Sequence, residues 1–325
     1  MSFLSTPPAR IAVTGAAGYI GKSLVAALAQ EPWVETILAV DARPAPPLPP
    51  KVVPLQHDVA NALPWVLEGA LRSLGIQAIV PLAFQLRPGR NRQAVRQINV
   101  GGLEATLRAC ATAGVWRVLY LSSSTVYGAH PSNPVPLTED APLRPNRGFQ
   151  YAEDKVEAEG VLARWGQDYP QASITILRGC PVMGPGANNF VARALTKPIL
   201  PGCAGHDPPM QFLHMDDQVS ILVHLLKEPV PGTFNLAGQG TIPWSGLARL
   251  AGRPLVWLPC SALTALTEAS WRLHLQSDSS AVGLAFIRWP FVVSTHRLEE
   301  STGWKPRYTS QQALASFLGR EFAVA

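Results

Sequence analysis

Cysteine is scarce in this chain. Its 325 residues include four cysteines, at Cys110, Cys180, Cys203 and Cys260. They form no CxxC pair, and their spacing matches no Cys/His zinc motif; a disulfide framework is uncharacteristic of a chain of this length. We therefore expect reduced and mostly buried thiols, and no metal.

Long hydrophobic runs are also missing. The most apolar late stretch, Leu255–Leu266, is interrupted by Pro259 and is shorter than the roughly 18–20 residues that span a bilayer. The first residues, MSFLSTPPAR, show no charged start followed by an apolar region, so no signal peptide is expected. These absences predict a soluble, cytoplasmic protein with no membrane partner.

Blocks of like charge are absent. The net charge is +5, yet lysine and arginine are dispersed along the chain, which argues against a nucleic-acid partner. The same charge suits attraction of a small anionic ligand. With 47% hydrophobic and 15% charged residues, the chain can bury a large core, so we expect an ordered fold.

Short apolar runs alternate with segments of helical periodicity through the first half of the chain. Apolar runs separated by helices are typical of parallel strands in a doubly wound α/β sheet. We predict strands at 10–14, 36–40, 51–55, 78–82, 116–121 and 173–177, and helices at 18–30, 61–74, 91–113 and 151–165.

The pattern changes after Arg178, where proline and glycine become frequent. We predict a main α/β domain over residues 1–178 and a smaller, mainly substrate-binding lobe over 179–325. A helix and a strand within about 212–238 are expected to return to the main domain.

A glycine turn directly follows the first predicted strand. Gly15, Gly18 and Gly21 have GxxGxxG spacing and precede a helix, so the backbone and the helix N-terminus can approach a pyrophosphate. Asp41 ends the second strand, 20 residues after Gly21, where a carboxylate accepts hydrogen bonds from ribose hydroxyls. Asp41 favours NAD over NADP, although Arg43 lies close enough in sequence to soften that preference.

A proton-transfer pair is predicted on the helix that starts at Tyr151. Tyr151 and Lys155 stand at i and i+4, on one helix face, where a cation is expected to lower the pKa of the phenol. The polar segment Ser122–Thr125 follows the end of a strand, where ligands bind in open α/β sheets. A serine hydroxyl there can bind the substrate oxygen while Tyr151 exchanges the proton.

Together these residues resemble those of the extended short-chain dehydrogenases/reductases, the NAD-dependent epimerase/dehydratase type that includes UDP-galactose 4-epimerase. The resemblance covers nearly the whole chain. Its markers are TGAAGYIG at 14–21, LSSSTVYG at 121–128, YAEDK at 151–155, LRGCPVMGPG at 177–186, FLHMDD at 212–217 and GWKPRYT at 303–309.

The resemblance implies an NAD-binding Rossmann domain, a homodimer, and Ser123, Tyr151 and Lys155 as catalytic residues. Asn99 would be a structural or proton-relay residue close to the cofactor, and Asp58 would contact the adenine unless it only caps a helix. The implied cofactor site comprises Gly15, Ala17, Gly18, Tyr19, Ile20, Gly21, Asp41, Asp58, Val59, Leu82, Ala83, Asn99, Tyr151, Lys155, Cys180 and Val182.

Three departures bear on the reaction. Ser124 and Thr125 occupy the places of the Asp-Glu pair that removes water in sugar-nucleotide dehydratases, so dehydration is disfavoured. Pro181 stands where an asparagine usually contacts the diphosphate region, and Met210 where many members carry an arginine. Other arginines remain available to a diphosphate: Arg87, Arg90, Arg92, Arg193 and Arg288.

Three functions stay open at this stage. The first is an NAD-dependent epimerase or dehydrogenase of a sugar nucleotide or another sugar derivative. The second is a dehydrogenase or reductase of an apolar alcohol or ketone, similar to 3β-hydroxysteroid dehydrogenases, favoured by Phe84, Met183, Met210, Trp257, Trp271 and Phe286. The third is a non-catalytic NAD-sensing protein, against which the complete Ser/Tyr/Lys set argues.

Overall fold

The computed structural model describes residues 7–44, 49–60, 63–86, 89–276 and 278–320. A seven-stranded sheet, parallel throughout, lies at its centre in the order β11-β6-β5-β4-β1-β2-β3. The doubly wound α/β prediction is confirmed. The strands are β1 (Arg10–Thr14), β2 (Thr36–Asp41), β3 (Val52–Gln56), β4 (Ala78–Pro81), β5 (Arg117–Ser123), β6 (Ser173–Gly179) and β11 (Gly232–Leu236).

Helices cover both faces of the sheet. On one face, α1 (Tyr19–Gln30) packs against α7 (Met215–Lys227), and their leucines join one core cluster with the strands. On the other face, α2 (Pro64–Ser73), α4 (Gly102–Ala113) and α5 (Gln150–Asp168) bury a second cluster. The strands are buried from both sides, which explains their continuous apolar sequences.

The long helix predicted over 91–113 is interrupted. α3 (Arg92–Arg96) leads into a π-helical turn, Gln97–Gly101, and only then into α4. Within the turn, the Asn99 side chain is buried, accepts a hydrogen bond from Gln85 N at 2.7 Å and donates one to Asp154 Oδ2 at 2.8 Å. Amphipathic periodicity alone does not reveal this widened turn, because the buried face stays the same across it.

A second lobe packs beside the carboxyl ends of the strands around a third apolar cluster. It contains short strand pairs and helices. The strands are β7 (Val182–Met183), β8 (Leu200–Cys203), β9 (Pro209–Met210), β10 (Leu213–His214), β12 (Ile242–Pro243) and β13 (Leu255–Leu258). The helices are α6 (Phe190–Leu195), α8 (Trp244–Leu250), α9 (Cys260–Arg272) and α11 (Ser310–Phe317). α10 (His296–Thr302) instead contacts β11, and its buried Leu298 belongs to the first cluster of the main domain. The division of the chain at residue 178 stays a prediction.

The expectation of four reduced thiols is wrong for one pair. Cys203 and Cys260 lie with their Cα atoms 5.0 Å apart and their sulfur atoms at bonding distance, as a disulfide. β13 pairs in parallel with β8, and Leu258 lies opposite Cys203, so the tertiary fold joins two cysteines that are 57 residues apart. Cys110 and Cys180 are free and buried, as expected.

None of the helices in the described ranges combines the length and the apolar composition that a membrane crossing requires.

Candidate active site

A cavity of about 700 Å³ lies at the carboxyl ends of the parallel strands, between the sheet and the second lobe. It brings together most of the predicted site residues: Gly15, Gly18, Tyr19, Ile20, Gly21, Leu82, Ser123, Tyr151, Lys155, Cys180 and Val182. Other predicted residues do not line it: Ala17, Asp41, Asp58, Val59, Ala83 and Asn99. A cleft at this edge of the sheet is where ligands bind in open α/β folds.

The glycine turn is packed so tightly that side chains would not fit. Gly15 adopts a left-handed backbone conformation (φ +66°), and a Cβ there would lie 2.7 Å from backbone atoms of Leu82 and Ala83. A Cβ at Gly21 would lie 2.2 Å from the carbonyl oxygen of Gly15. Helix α1 starts immediately afterwards, with no side-chain cap at Gly18. The bare N-terminal N–H groups beside the cavity fit a pyrophosphate.

Asp41 lies at the end of β2, beside the glycine turn. Its carboxylate accepts hydrogen bonds from Ala17 N at 2.9 Å and from Arg43 N at 3.0 Å, and it forms an ion pair with the Arg43 guanidinium at 3.1 Å. Burial alone would raise the pKa of Asp41, but these contacts lower it overall. The carboxylate is therefore charged and fixed at the position predicted for ribose recognition.

Asp58 is placed differently. Its Oδ1 accepts a hydrogen bond from Ala60 N at 3.0 Å, so the side chain closes a local turn. The helix that follows, α2, begins at Pro64 after Leu63, so Asp58 does not cap it and the capping alternative is wrong. A contact of Asp58 with the adenine stays a prediction.

Ser123 and Tyr151 face the cavity from neighbouring elements. Ser123 is the last residue of β5, and its Oγ accepts a hydrogen bond from the Thr125 hydroxyl at 2.9 Å. Tyr151 lies in the first turn of α5, with the Phe84 and Phe149 rings packed edge-on at 5.5 and 6.2 Å. The strand end and the helix start thus bring a hydroxyl and a phenol to one side of the cavity.

Lys155 lies one turn further along α5, and it is buried. Its Nζ donates to Leu121 O at 2.5 Å and to the Tyr120 hydroxyl at 3.3 Å, and lies 3.8 Å from the centre of the Phe84 ring. Burial lowers the pKa of Lys155 to about 7, against the smaller opposing effects of Glu159 and Asp154.

The predicted lowering of the phenol pKa by Lys155 is not what the structure gives. Burial raises the pKa of Tyr151 above its ordinary value, and a hydrogen bond with Ser123 opposes this only in part. The reason is that the Lys155 ammonium is directed to the carbonyl of Leu121 rather than to the phenol. The i, i+4 spacing places both groups on one face but does not fix where the ammonium points.

Asn99 lies behind this constellation rather than in the cavity. Its hydrogen bond to Asp154 joins the π-helical turn to α5, one residue before Lys155. Burial raises the pKa of Asp154, although the bond from Asn99 opposes the shift. The arrangement fits a structural role for Asn99.

A buried polar network, which local sequence patterns did not reveal, supports the loop after Ser123. Arg178 forms an ion pair with Glu159 at 2.7 Å and donates to the Tyr127 hydroxyl at 2.9 Å. Ser122 donates to Glu159 at 2.5 Å, and Tyr127 donates to Asn235 at 2.7 Å. The network ties β5, α5, β6 and β11 together directly beneath the cavity.

Gln218 also lines the cavity and was missed. It is 2% exposed, and its Nε2 has no hydrogen-bond partner among the described residues. A signal was present in the sequence, because Gln218 precedes the buried Ile221 and Leu222 by three and four residues on the same face of α7.

Basic side chains line the wall of the cavity that the second lobe forms, called the far wall below. Arg193 and Lys197 lie on and just after α6, and both bind Asp278, at 3.3 and 2.5 Å. Arg90 and Arg92 line the cavity as well, whereas Arg288 does not, and Arg87 lies outside the described residues. Two cations sharing one carboxylate leave a net positive charge on this wall.

Some of the predicted apolar residues share the cavity with these cations. Phe84, Trp271 and Phe286 line it. Met183 and Met210 are instead fully buried in the core of the second lobe, and Trp257 lies on β13 with 42% of its surface exposed.

Comparisons with known proteins agree with this architecture. An uncharacterised protein of Mycobacterium tuberculosis is 29% identical over 315 residues, covering 95% of this chain and 83% of the relative. The GDP-6-deoxy-D-mannose reductase of Pseudomonas aeruginosa is 28% identical over 325 residues, covering 95% of this chain and 96% of the relative.

Solved structures share the fold. MoeE5 in complex with UDP-glucuronic acid and NAD has a TM-score of 0.74 at 22% identity, covering 95% of this chain and 98% of the other. The UDP-glucose 4-epimerase of Thermotoga maritima has a TM-score of 0.73 at 17% identity, covering 95% and 97%.

A family model matches residues 11–237, which contain the glycine turn, the Ser/Tyr/Lys set and, apart from Arg10 of β1, all seven strands of the sheet. The expected resemblance and cofactor are thereby confirmed: the chain belongs to the NAD dependent epimerase/dehydratase family, and NAD is its cofactor.

Proposed function

We propose that this protein is an NAD-dependent epimerase or dehydrogenase acting at a secondary alcohol or ketone of a sugar nucleotide or a related sugar derivative. One observation carries the proposal. Ser123, Tyr151 and Lys155 converge on one side of a cavity whose opposite wall holds Arg193 and Lys197. The Ser/Tyr/Lys set would then bind the carbinol group of a substrate while Arg193 and Lys197 bind an anionic group of the same molecule.

Each residue of the triad has a distinct task in this mechanism. The Ser123 oxygen accepts a hydrogen bond from Thr125, and Ser123 is also hydrogen-bonded to the Tyr151 phenol. When substrate binds, the Ser123 hydroxyl would donate to the substrate oxygen instead of the phenol. Tyr151, with a raised pKa, is a neutral phenol and so is ready to donate a proton to a forming alkoxide. Donation leaves a phenolate, which Lys155 stabilises if its ammonium turns from Leu121 O. In the opposite direction that phenolate takes the proton of the substrate alcohol and becomes a neutral phenol again.

NAD, when bound, accepts or returns a hydride at the substrate carbon. The glycine turn, Asp41 and the segment containing Cys180 and Val182 would hold it. Ser124 and Thr125 carry no carboxylate, so this chain has no acid and base at those positions for dehydration. Epimerisation, or simple redox at the carbinol carbon, therefore fits these residues better than loss of water.

The substrate class is supported by the charge of the far wall and by the relatives. The names of the Pseudomonas reductase and of the Thermotoga epimerase specify nucleotide sugars. Pro181 and Met210 remove two expected contacts. Cations that line the cavity remain available for a diphosphate: Arg193 and Lys197, and also Arg90 and Arg92.

A second candidate is a dehydrogenase of an apolar alcohol or ketone. The observation that favours it is the aromatic part of the cavity lining, which includes Phe84, Trp271 and Phe286, with Phe84 packed against Tyr151. An apolar ring could pack there without using the cations.

The test starts from the purified protein as it is. It is denatured to measure released NAD, and the native protein is assayed without added cofactor against nucleotide sugars and apolar ketones. Near-stoichiometric bound NAD with isomer formation and no net NADH supports the epimerase. Reduction of added NAD in proportion to an alcohol supports a dehydrogenase, and bound NAD with no turnover of any substrate supports the NAD-sensing alternative.

A matched pair of variants separates the two substrate classes. Arg193→Met should raise the KM for a nucleotide sugar about tenfold or more, the scale of a lost charged hydrogen bond. Arg164→Met, on the exposed surface of α5, should leave it unchanged. Equal KM values in all three proteins would contradict an anionic substrate at this wall.

A further inference from the structure

The pair Cys203 and Cys260 has a third neighbour. The sulfur atoms and an imidazole nitrogen of His206 all lie within 4.8 Å of one another. The group lies in the second lobe, where β8 ends, β13 ends and α9 begins. It takes no part in the cavity described above.

The turn after β8 and the pairing of β13 with β8 bring the three side chains together. Residues 203–206 form a C-x-x-H turn in which His206 N donates to Cys203 O at 3.0 Å, and Gly205 takes the left-handed conformation (φ +81°). On the other side, the register of β13 against β8 delivers Cys260 two residues after Leu258, the partner of Cys203. A disulfide needs only the two sulfurs, whereas this turn also holds an imidazole beside them.

We propose that, in the reduced protein, Cys203, His206 and Cys260 bind one divalent ion of the zinc class, with water in the fourth position. Two thiolates and one imidazole are ligands that zinc prefers. Zinc–ligand distances of about 2.0–2.3 Å place tetrahedral ligand atoms roughly 3.5–3.8 Å apart, within the 4.8 Å limit of this group. The two sulfurs separate by side-chain rotation when the ion enters.

The surroundings suit thiolates and fix the imidazole. Cys260 is the first residue of the thirteen-residue helix α9, whose positive end favours a thiolate. The His206 ring packs edge-on against Trp289 at 4.5 Å, and Arg288 Nε lies 3.4 Å from its Nε2. An ion bound at either ring nitrogen replaces that long hydrogen bond, so Arg288 turns away on binding.

The ion would attach α9, a helix that buries few of its side chains, to the end of β8. Of the residues of α9, all of which the structure describes, Leu263 alone is buried. Yet Thr267, Ser270 and Trp271 of the same helix line the cavity. Attachment of the first turn at Cys260 therefore sets the position of one cavity wall, whichever substrate the cavity takes.

The experiment uses the full chain, reduced with a phosphine, stripped with a chelator and titrated with Co²⁺ and Zn²⁺. We expect about one ion per chain, with the sulfur-to-cobalt charge-transfer band and the intense visible bands of a tetrahedral site. Cys203→Ser and Cys260→Ser should abolish the bands, and His206→Gln should weaken binding tenfold or more. Cys110→Ala, a buried cysteine elsewhere, is the control and should bind normally.

Thiol counts distinguish a metal site from a plain disulfide. If the reduced protein binds no ion, or if His206→Gln binds as tightly as the unaltered chain, the proposal is overturned. Free thiols are counted before and after reduction in the unaltered chain and in His206→Gln. If both gain two thiols and neither takes up metal, the pair Cys203 and Cys260 forms a disulfide and nothing more. Binding that survives Cys260→Ser would likewise refute the assignment.

Discussion

Lys155 should make the free energy of unfolding decrease as the pH falls towards 7. It is buried between the rings of Phe84 and Tyr120, and burial lowers its pKa from 10.5 to about 7. In the unfolded chain the amine is protonated up to about pH 10.5, while in the folded chain it is neutral above about 7. Stability is therefore present above the unfolded value and is lost as pH falls towards 7.

The magnitude follows from the two pKa values. Across the full window from pH 10.5 to 7 the loss amounts to ~4 kcal/mol, and between pH 9 and 7 to ~2 kcal/mol. Lys155→Met keeps an unbranched, apolar side chain, one heavy atom shorter, but removes the titrating amine. The variant should thus be more stable at pH 7 than the unaltered protein, and the difference should shrink as pH rises.

The assay is equilibrium unfolding in urea at pH 7, 8 and 9, without added NAD, for the unaltered chain and for Lys155→Met. Subtracting the free energies of unfolding of the two proteins at each pH removes the contributions of all other titrating groups. Lys227→Met, at the exposed end of α7, serves as the control and should show a constant difference. If the difference for Lys155→Met is also constant across this pH range, the reasoning about burial is refuted.

Four further predictions follow from the site. Tyr151→Phe should keep NAD affinity by calorimetry while turnover falls ~10²-fold or more, and a variant with normal turnover would exclude Tyr151 as the acid/base. Gln218→Leu removes a buried amide nitrogen without a described partner, so the melting temperature should rise by ~2 °C; a fall would mean that the amide is satisfied. NAD(H) should bind more tightly than NADP(H), and Asp41→Asn should reduce the ratio of the two dissociation constants. Equal dissociation constants in the unaltered protein would contradict the role of Asp41. Light scattering at micromolar concentration should show a homodimer paired through the helices of residues 92–113 and 150–168, and a monomer would count against it.

Much of the fold could be predicted because its signals are local. Each strand of the main sheet is a short apolar run, and each lies within a residue or two of its predicted bounds. The glycine turn was identifiable from the sequence because Gly15 and Gly21 leave no room for a Cβ. Such positions require glycine, so the GxxGxxG spacing is visible in the sequence itself. The Tyr151–Lys155 spacing likewise needs only the geometry of one helix.

The remaining features depend on contacts between distant parts of the chain. Arg193 and Asp278 are 85 residues apart, and Cys203 and Cys260 are 57 residues apart. Each side chain taken singly looks like an ordinary surface arginine or a buried thiol. The pKa of Tyr151 was predicted in the wrong direction for a related reason, since its burial depends in part on Phe84, which is 67 residues away in the sequence.

The late position of β11 in the chain has a consequence for how the protein folds during synthesis. β6 can pair with β5 once residue 179 has emerged, but its other side stays uncovered until Gly232–Leu236 arrives. Asn235 then completes the buried network, accepting from Tyr127 and donating to Leu137 O. A nascent chain must therefore carry an open sheet edge while the first part of the second lobe is made, which is the interval in which pairing with another chain competes with correct closure.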